Sequence, residues 1–282
     1  MSVRNVRVGI ECPDRMTRSV RMNKSISRLL LVAALSVGMA GEPALAQTTA
    51  KPTIILVHGA WVTGNGWRPV HDQLVRDGYR VVIAQHPLTS FQADVTAVQR
   101  ILALQTGPVV LVGHCYGGAV VTHAGNDPKV KALVYIAAHA PDEGETPIGN
   151  DRKFVNPASH AGKDVRRSSD GFLTFDPTMY REDYAADLDP VTARFEADAQ
   201  VPTALSVFET PAGHPAWKDK PSWYMVAGRD RILSPELERM YARRAHSSTV
   251  EVAGASHSVY QSHPVEVAAL IEKAAGAVAQ GP

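Results

Sequence analysis

Pro108-Val109-Val110-Leu111-Val112-Gly113-His114-Cys115-Tyr116-Gly117-Gly118 is the stretch on which the fold turns. The unbroken apolar run from Val109 to Val112 has the pattern of a strand buried on both faces. It ends in G-x-C-x-G, and Gly118-Ala119-Val120-Val121 can open a helix. Strand, sharp turn and helix in that order make a nucleophile elbow, with sulfur where oxygen is usual. A β-carbon at position 113 or 117 would crowd the backbone of so tight a turn. The turn lifts the Cys115 thiol off the sheet edge and aims the Tyr116 amide at the same space. An isolated cysteine is more often a small buried apolar residue. The flanking glycines and the preceding strand favour the reactive reading, because a core cysteine needs neither.

The same alternation extends outward in both directions. Thr53–Val57 has strand character and runs into His58-Gly59-Ala60-Trp61. A helix is expected over 67–76, a strand over 79–84, and a helix over 91–105 that Ser90 caps. Beyond the elbow, 116–124 suggests a helix and 132–138 a strand. After a gap, 222–227 predicts a strand, 235–244 a helix, 249–253 a short strand, and 264–278 a terminal helix. Fully apolar strands separated by helices imply an α/β fold with a mostly parallel sheet covered on both faces. The intervening 139–215 is rich in Pro, Gly, Asp and aromatic residues. No clear strand is expected there, and short helices are expected at 181–188 and 190–199. This segment is expected to form an inserted cap over the carboxyl end of the sheet, a long flexible loop being the rival reading. The core is then 52–138 with 216–282.

Residues 1–46 are expected to lie outside that fold. Lys24 and Arg28 precede the apolar Leu29–Gly41, and Ala44-Leu45-Ala46 offers a cleavage site before Gln47. This is the form of a secretory signal, with Met22 as an alternative start, so a periplasmic or secreted location is expected. A twin-arginine or transit signal is the rival, but no Arg-Arg pair precedes Leu29. The leader carries seven of the chain's 29 Lys/Arg and three of its 28 Asp/Glu, so the net charge moves from +1 to −3 when it is removed. Neither nucleic-acid binding nor attachment to an anionic membrane fits that balance. Of the two cysteines, Cys12 lies in the leader. Cys115 is then alone, so no disulfide forms within the mature chain, and structural zinc is not expected.

A thiol nucleophile needs a base, and the base needs an orienting group. Cys115, Asp230 and His257 each follow an expected strand, where side chains of an open α/β sheet gather into one crevice. The amide of Ala60, just past the first strand, is positioned to join that of Tyr116 as an oxyanion donor. Asp142 is the rival acid; Asp230 alternatively caps a helix. His246 and His263 are rivals to His257, the first better suited to a helix dipole and the second to the surface. His58 and His114 are expected to shape the oxyanion loop and the elbow. Trp61, Phe208 and Trp217 are candidates to line a substrate pocket, with ordinary packing as the alternative.

Leu56-Val57-His58-Gly59-Ala60-Trp61, Gly113-His114-Cys115-Tyr116-Gly117-Gly118, Gly228-Arg229-Asp230 and Ser256-His257 together resemble the α/β-hydrolase superfamily. The similarity is greatest to its small esterases, near the plant methylesterases and hydroxynitrile lyases, and it covers about 52–138 and 220–280. The resemblance implies an ester hydrolase of small molecules that needs no cofactor. Lyases and receptors share the scaffold and are the alternatives. Cys115 departs from the family's common serine; dienelactone hydrolases are similar in having a cysteine elbow. A thiolate leaves a tetrahedral adduct more readily than an alkoxide does. Activated esters, lactones or thioesters are therefore the expected substrates.

Overall fold

The structure is a computed structural model that describes residues 51–280 with the exception of His160. The leader expected over 1–46 lies outside the described residues. Six parallel strands form the main sheet: β1 (Thr53–Val57), β2 (Val81–Ala84), β3 (Val109–Cys115), β4 (Val130–Ala138), β8 (Ser222–Ala227) and β9 (Ser248–Val252), in the order β2-β1-β3-β4-β8-β9. Parallel strands require crossovers, and the helices Arg68–Arg76, Phe91–Ala103, Gly117–Ala124, Pro235–Arg244 and Pro264–Gln280 supply cover for both faces.

Successive strand residues point to opposite sides, and the core divides accordingly. Ile55, Val57, Leu111, Leu133 and Tyr135 pack with Val98, Leu102, Val120 and Leu237. Ile54, Leu56, Val110, Val112 and Val134 pack on the other face with Leu74, Leu270 and Ile271. Every residue of β3 is buried. Each such aliphatic side chain contributes about 1.5–3 kcal/mol of burial. β9 is one edge of the sheet, and Ser248, Thr249 and Glu251 of its Ser248-Thr249-Val250-Glu251-Val252 are exposed to water. Ser90 caps the helix Phe91–Ala103 by accepting from the Ala93 amide at 3.2 Å.

The segment between β4 and β8 corrects one expectation. It contains three short strands, β5 (Val165–Arg167), β6 (Phe172–Phe175) and β7 (Thr203–Ala204), paired as an antiparallel sheet in that order. Strands of two to four residues carry too little alternation to stand out in a sequence. β7 is also separated from its partner by the helix Pro190–Asp198. The helix expected at 181–188 is a single turn, Tyr180–Asp183. The segment lies against the loops at the carboxyl ends of β1 and β9. The Trp61 amide donates to Thr203 Oγ1 at 3.1 Å, the Tyr184 hydroxyl to the Ala60 carbonyl at 3.3 Å, and the Ser258 amide to the Tyr184 carbonyl at 3.1 Å.

Candidate active site

Cys115 ends β3 with φ of 54°, a left-handed backbone that costs a non-glycine residue about 1–2 kcal/mol. The turn is held by contacts that only glycine permits. A β-carbon on Gly117 would come 2.4 Å from the His58 carbonyl oxygen, and one on Gly113 2.7 Å from that of Gly117. Gly59 lies directly over the nucleophile position: its β-carbon would meet Cys115 Cβ at 2.5 Å and Sγ at 3.3 Å. The loop after β1 and the elbow therefore touch through backbone, and Ala60 is carried into the same corner, fully buried.

Asp230 and His257 arrive from β8 and β9. Gly228 makes their approach possible, since a β-carbon there would lie 2.7 Å from Ala253 Cα, and the Arg229 amide donates to the Ala255 carbonyl at 2.9 Å. His257 Nδ1 donates to Asp230 Oδ2 at 2.5 Å. The other carboxylate oxygen, Oδ1, accepts from the amides of Ile232 and Leu233 at 2.7 and 2.8 Å. The acid is thus fixed on both oxygens, and it fixes the ring. His257 Nε2 makes no conventional hydrogen bond; its ring interacts instead with the Cys115 thiol.

All three groups are buried, so their charges act on one another strongly. Burial raises the thiol's pKa, but the His257 ring, then His139 and the Tyr116 amide, outweigh it and leave the thiol below its ordinary value. Burial opposes charge on His257 as well, yet Asp230 and the sulfur hold its pKa well above the usual imidazole range. Each shift favours the charged form of its group, thiolate for Cys115 and imidazolium for His257.

Behind Asp230 stands Glu238, fully buried on the helix Pro235–Arg244, with Oε2 accepting the Ala227 amide at 3.1 Å. Burial, then the Asp230 charge, pushes its carboxyl well above the carboxylate range, which favours the neutral form, and its Oε1 is buried without a hydrogen-bond partner. Nothing in the residue pattern marked it, because a glutamate inside a surface helix ordinarily faces water. His139 was equally unmarked, although it follows β4 as directly as the other candidates follow their strands.

The rivals lie elsewhere. Asp142 pairs with Lys218 Nζ at 2.5 Å and His263 with the Ser262 hydroxyl at 2.9 Å; His246 follows the helix Pro235–Arg244. His58 donates from Nδ1 to the Gly59 carbonyl at 2.9 Å and stacks on His86 at 3.8 Å; burial first, and then His86, lower its pKa to about 3. It is a neutral strut for the β1 loop. Trp61 meets Phe208, Phe175 and Tyr184 at ring-centroid distances of 5.8, 5.9 and 6.4 Å, and Tyr184 stands edge-on to His257 at 4.7 Å. Trp61 and Phe208 are thus part of an aromatic wall that reaches the site. Trp217 has other neighbours: its Nε1 donates to the Pro141 carbonyl at 3.2 Å, and Arg244 and Lys218 lie over its ring. Among the described residues no group of three or more His, Cys, Asp or Glu is arranged to hold a metal ion, and no helix is long and apolar enough to cross a membrane.

Residues 54–270 match the model of the Alpha/beta hydrolase family. The chain belongs to that family. It is 24% identical over 248 residues to the alpha/beta hydrolase nvfD of Aspergillus novofumigatus, covering 80% of this chain and 97% of that one. It is 33% identical over 106 residues to a carbendazim hydrolyzing esterase of a Nocardioides species, covering 33% of this chain and 44% of the esterase. Among solved structures, a pyrethroid hydrolase from Sphingobium faniae superimposes with a TM-score of 0.68 at 25% identity, over 81% of this chain and 99% of that one.

Proposed function

We propose that the chain hydrolyses carboxylic esters through a thiol nucleophile, with Cys115, His257 and Asp230 as the catalytic triad. Ester hydrolysis in general is supported by membership of the Alpha/beta hydrolase family together with the esterase and pyrethroid hydrolase among its relatives. The observation that carries the finer reading is the buried chain of groups from sulfur to imidazole to a carboxylate 2.5 Å from the ring.

In this mechanism the Cys115 thiolate attacks the ester carbonyl carbon. The carbonyl electrons move onto oxygen, and the amides of Ala60 and Tyr116 receive that charge, each worth about 3 kcal/mol. The adduct collapses as the alcohol leaves with a proton from His257 Nε2. A thioester now joins substrate to sulfur. His257, neutral again, takes a proton from water, which attacks the thioester; the acid departs and the thiolate returns. Asp230 holds the ring and its tautomer throughout. Because the thiolate is expelled more readily than an alkyl alkoxide, the substrates are esters, lactones or thioesters with good leaving groups. The aromatic wall of Trp61, Phe175 and Phe208 suits a bulky apolar portion of the substrate. The leader-like residues 22–46 support export to the periplasm or beyond.

The deciding experiment is hydrolysis of p-nitrophenyl esters by the parent, Cys115→Ala and Cys115→Ser, with mass spectrometry of the quenched parent. The reading expects loss of at least ~10³-fold in Cys115→Ala and a mass increase equal to the acyl group on Cys115. Undiminished turnover in Cys115→Ala sinks it. Product without any acyl adduct points instead to proton-transfer chemistry of the lyase kind.

A further inference from the structure

A second histidine–carboxylate couple flanks the nucleophile, carried by the end of β4, the strand that neighbours β3 on the side of β8 and β9. His139 is the first residue past β4, and its amide donates to the Cys115 carbonyl at 3.0 Å. The ladder between β3 and β4 shifts register at this point, placing Cys115 opposite Ala138. The elbow helix presses on the same residue: a β-carbon on Gly118 would lie 2.3 Å from the His139 carbonyl oxygen. The ring is almost wholly buried. Its Nε2 is 3.0 Å from Asp151 Oδ1, on the helix Pro147–Lys153, while its Nδ1 is buried with no hydrogen-bond partner.

We infer that His139, held by Asp151, is a positioning residue for the nucleophile, an imidazolium that shares with His257 the task of keeping the Cys115 sulfur anionic. The inference rests on the thiol reading of the site. Its physical logic is charge balance. A buried imidazolium is costly unless anions face it. Asp151 provides one such charge at Nε2, and the sulfur provides the other. The groups around His139 bear this out on each side. Burial opposes its charge, but Asp151 and then Cys115 raise its pKa, while His257 works against it. From the helix Pro235–Arg244, the Tyr241 ring stands 6.3 Å away and Arg244 donates to the Ala140 carbonyl. The Arg244 charge is matched by Glu145, at 2.9 Å on both carboxylate oxygens. An oxygen nucleophile rests neutral and has little use for a second cation; a sulfur nucleophile rests charged.

The test is the thiolate's ultraviolet absorbance in the full chain, titrated across pH as the difference from Cys115→Ala. It is made for the parent, His139→Gln and Asp151→Asn, with kcat and KM on a p-nitrophenyl ester alongside. Asp151→Asn retains a partner for the ring and sits partly in water, so it is informative even if His139→Gln does not fold. The inference expects both variants to raise the titration midpoint by about one unit, leaving about tenfold less thiolate at acid pH, with kcat reduced and KM little changed. A folded Asp151→Asn with the parent's midpoint overturns it and leaves the triad intact. A parent thiol that ionises only at ~8.5 or above overturns the thiolate reading itself, and this inference with it.

Discussion

His114 donates from Nε2 to the carbonyl of His257, 3.0 Å away. The residue before the nucleophile thus grips the backbone of the base across 143 positions of sequence. Burial, followed by the His257 charge, holds the His114 ring well below the usual imidazole pKa, so it is neutral and its proton stays on Nε2. Its ring also packs against Tyr260 at 4.2 Å and against His257 at 4.8 Å. His114→Phe keeps the packing and removes the donor. A buried carbonyl is left unsatisfied, at about 1–3 kcal/mol, and the base loses its tether to the elbow. Urea unfolding is expected to register the first effect and a drop of ~10-fold or more in kcat the second. Parental values for both would show that the tether does nothing.

Gly59 offers a steric test. Alanine there puts a methyl group 2.5 Å from Cys115 Cβ, and neither the elbow nor the β1 loop is free to retreat. Gly59→Ala is expected to fold with reduced stability and to lose ~10²-fold or more in kcat/KM, since an Ångström of misplacement at the reacting atoms has that scale of cost. Crystallography of the variant checks the cause: the Cys115 sulfur should be displaced relative to His257.

The pH profile follows from the signs of the two shifts. The thiol lies below its ordinary value and His257 above its own. The reactive pair therefore exists between the two, protonating on sulfur as pH falls and losing the imidazolium proton as pH rises. Plots of kcat/KM against pH for an activated ester are expected to be bell-shaped, with an acid limb below the ~8.5 of a free thiol. A serine at 115 has no thiolate to protonate. Its acid limb should report His257 alone.

Glu238 separates charge from hydrogen bonding behind the triad. Its carboxyl is raised in the folded chain, so its contribution to stability is fully present below the unfolded value of ~4.3 and is lost as pH rises through the folded value. Glu238→Gln keeps an acceptor for the Ala227 amide and cannot ionise. It should hydrolyse ester within a few-fold of the parent, and it should not share the parent's decline in denaturant midpoint toward high pH. Glu238→Leu removes that acceptor and is expected to lower the denaturant midpoint at every pH. Equal behaviour of the two variants would mean that the bond to the Ala227 amide has no role.

The order of strands and helices was legible because β1, β3, β4 and β8 are apolar on both faces, and that continuity needs no knowledge of the rest of the fold. That Cys115, Asp230 and His257 lie near one another was legible for a different reason: each sits at or just past the carboxyl end of a strand, and the carboxyl ends of parallel strands converge. The short strands β5, β6 and β7 were not, since their pairing comes from distant segments rather than from local pattern. Trp217 shows the limit for single side chains. Its composition suited a pocket, while its neighbours proved to be Pro141, Lys218 and Arg244.

By itself, the sequence determined the parallel α/β framework and the sharp turn at Cys115, because apolar continuity and obligatory glycines are local properties of the chain. Tertiary structure alone decided the partners. That Asp230 rather than Asp142 meets His257, that Glu238 shelters behind it, and that His139 joins Asp151 beside the sulfur depend on which loops the sheet brings within a few Ångströms. Contact between residues far apart in the chain is set by strand order and burial, and neither is written in any one segment.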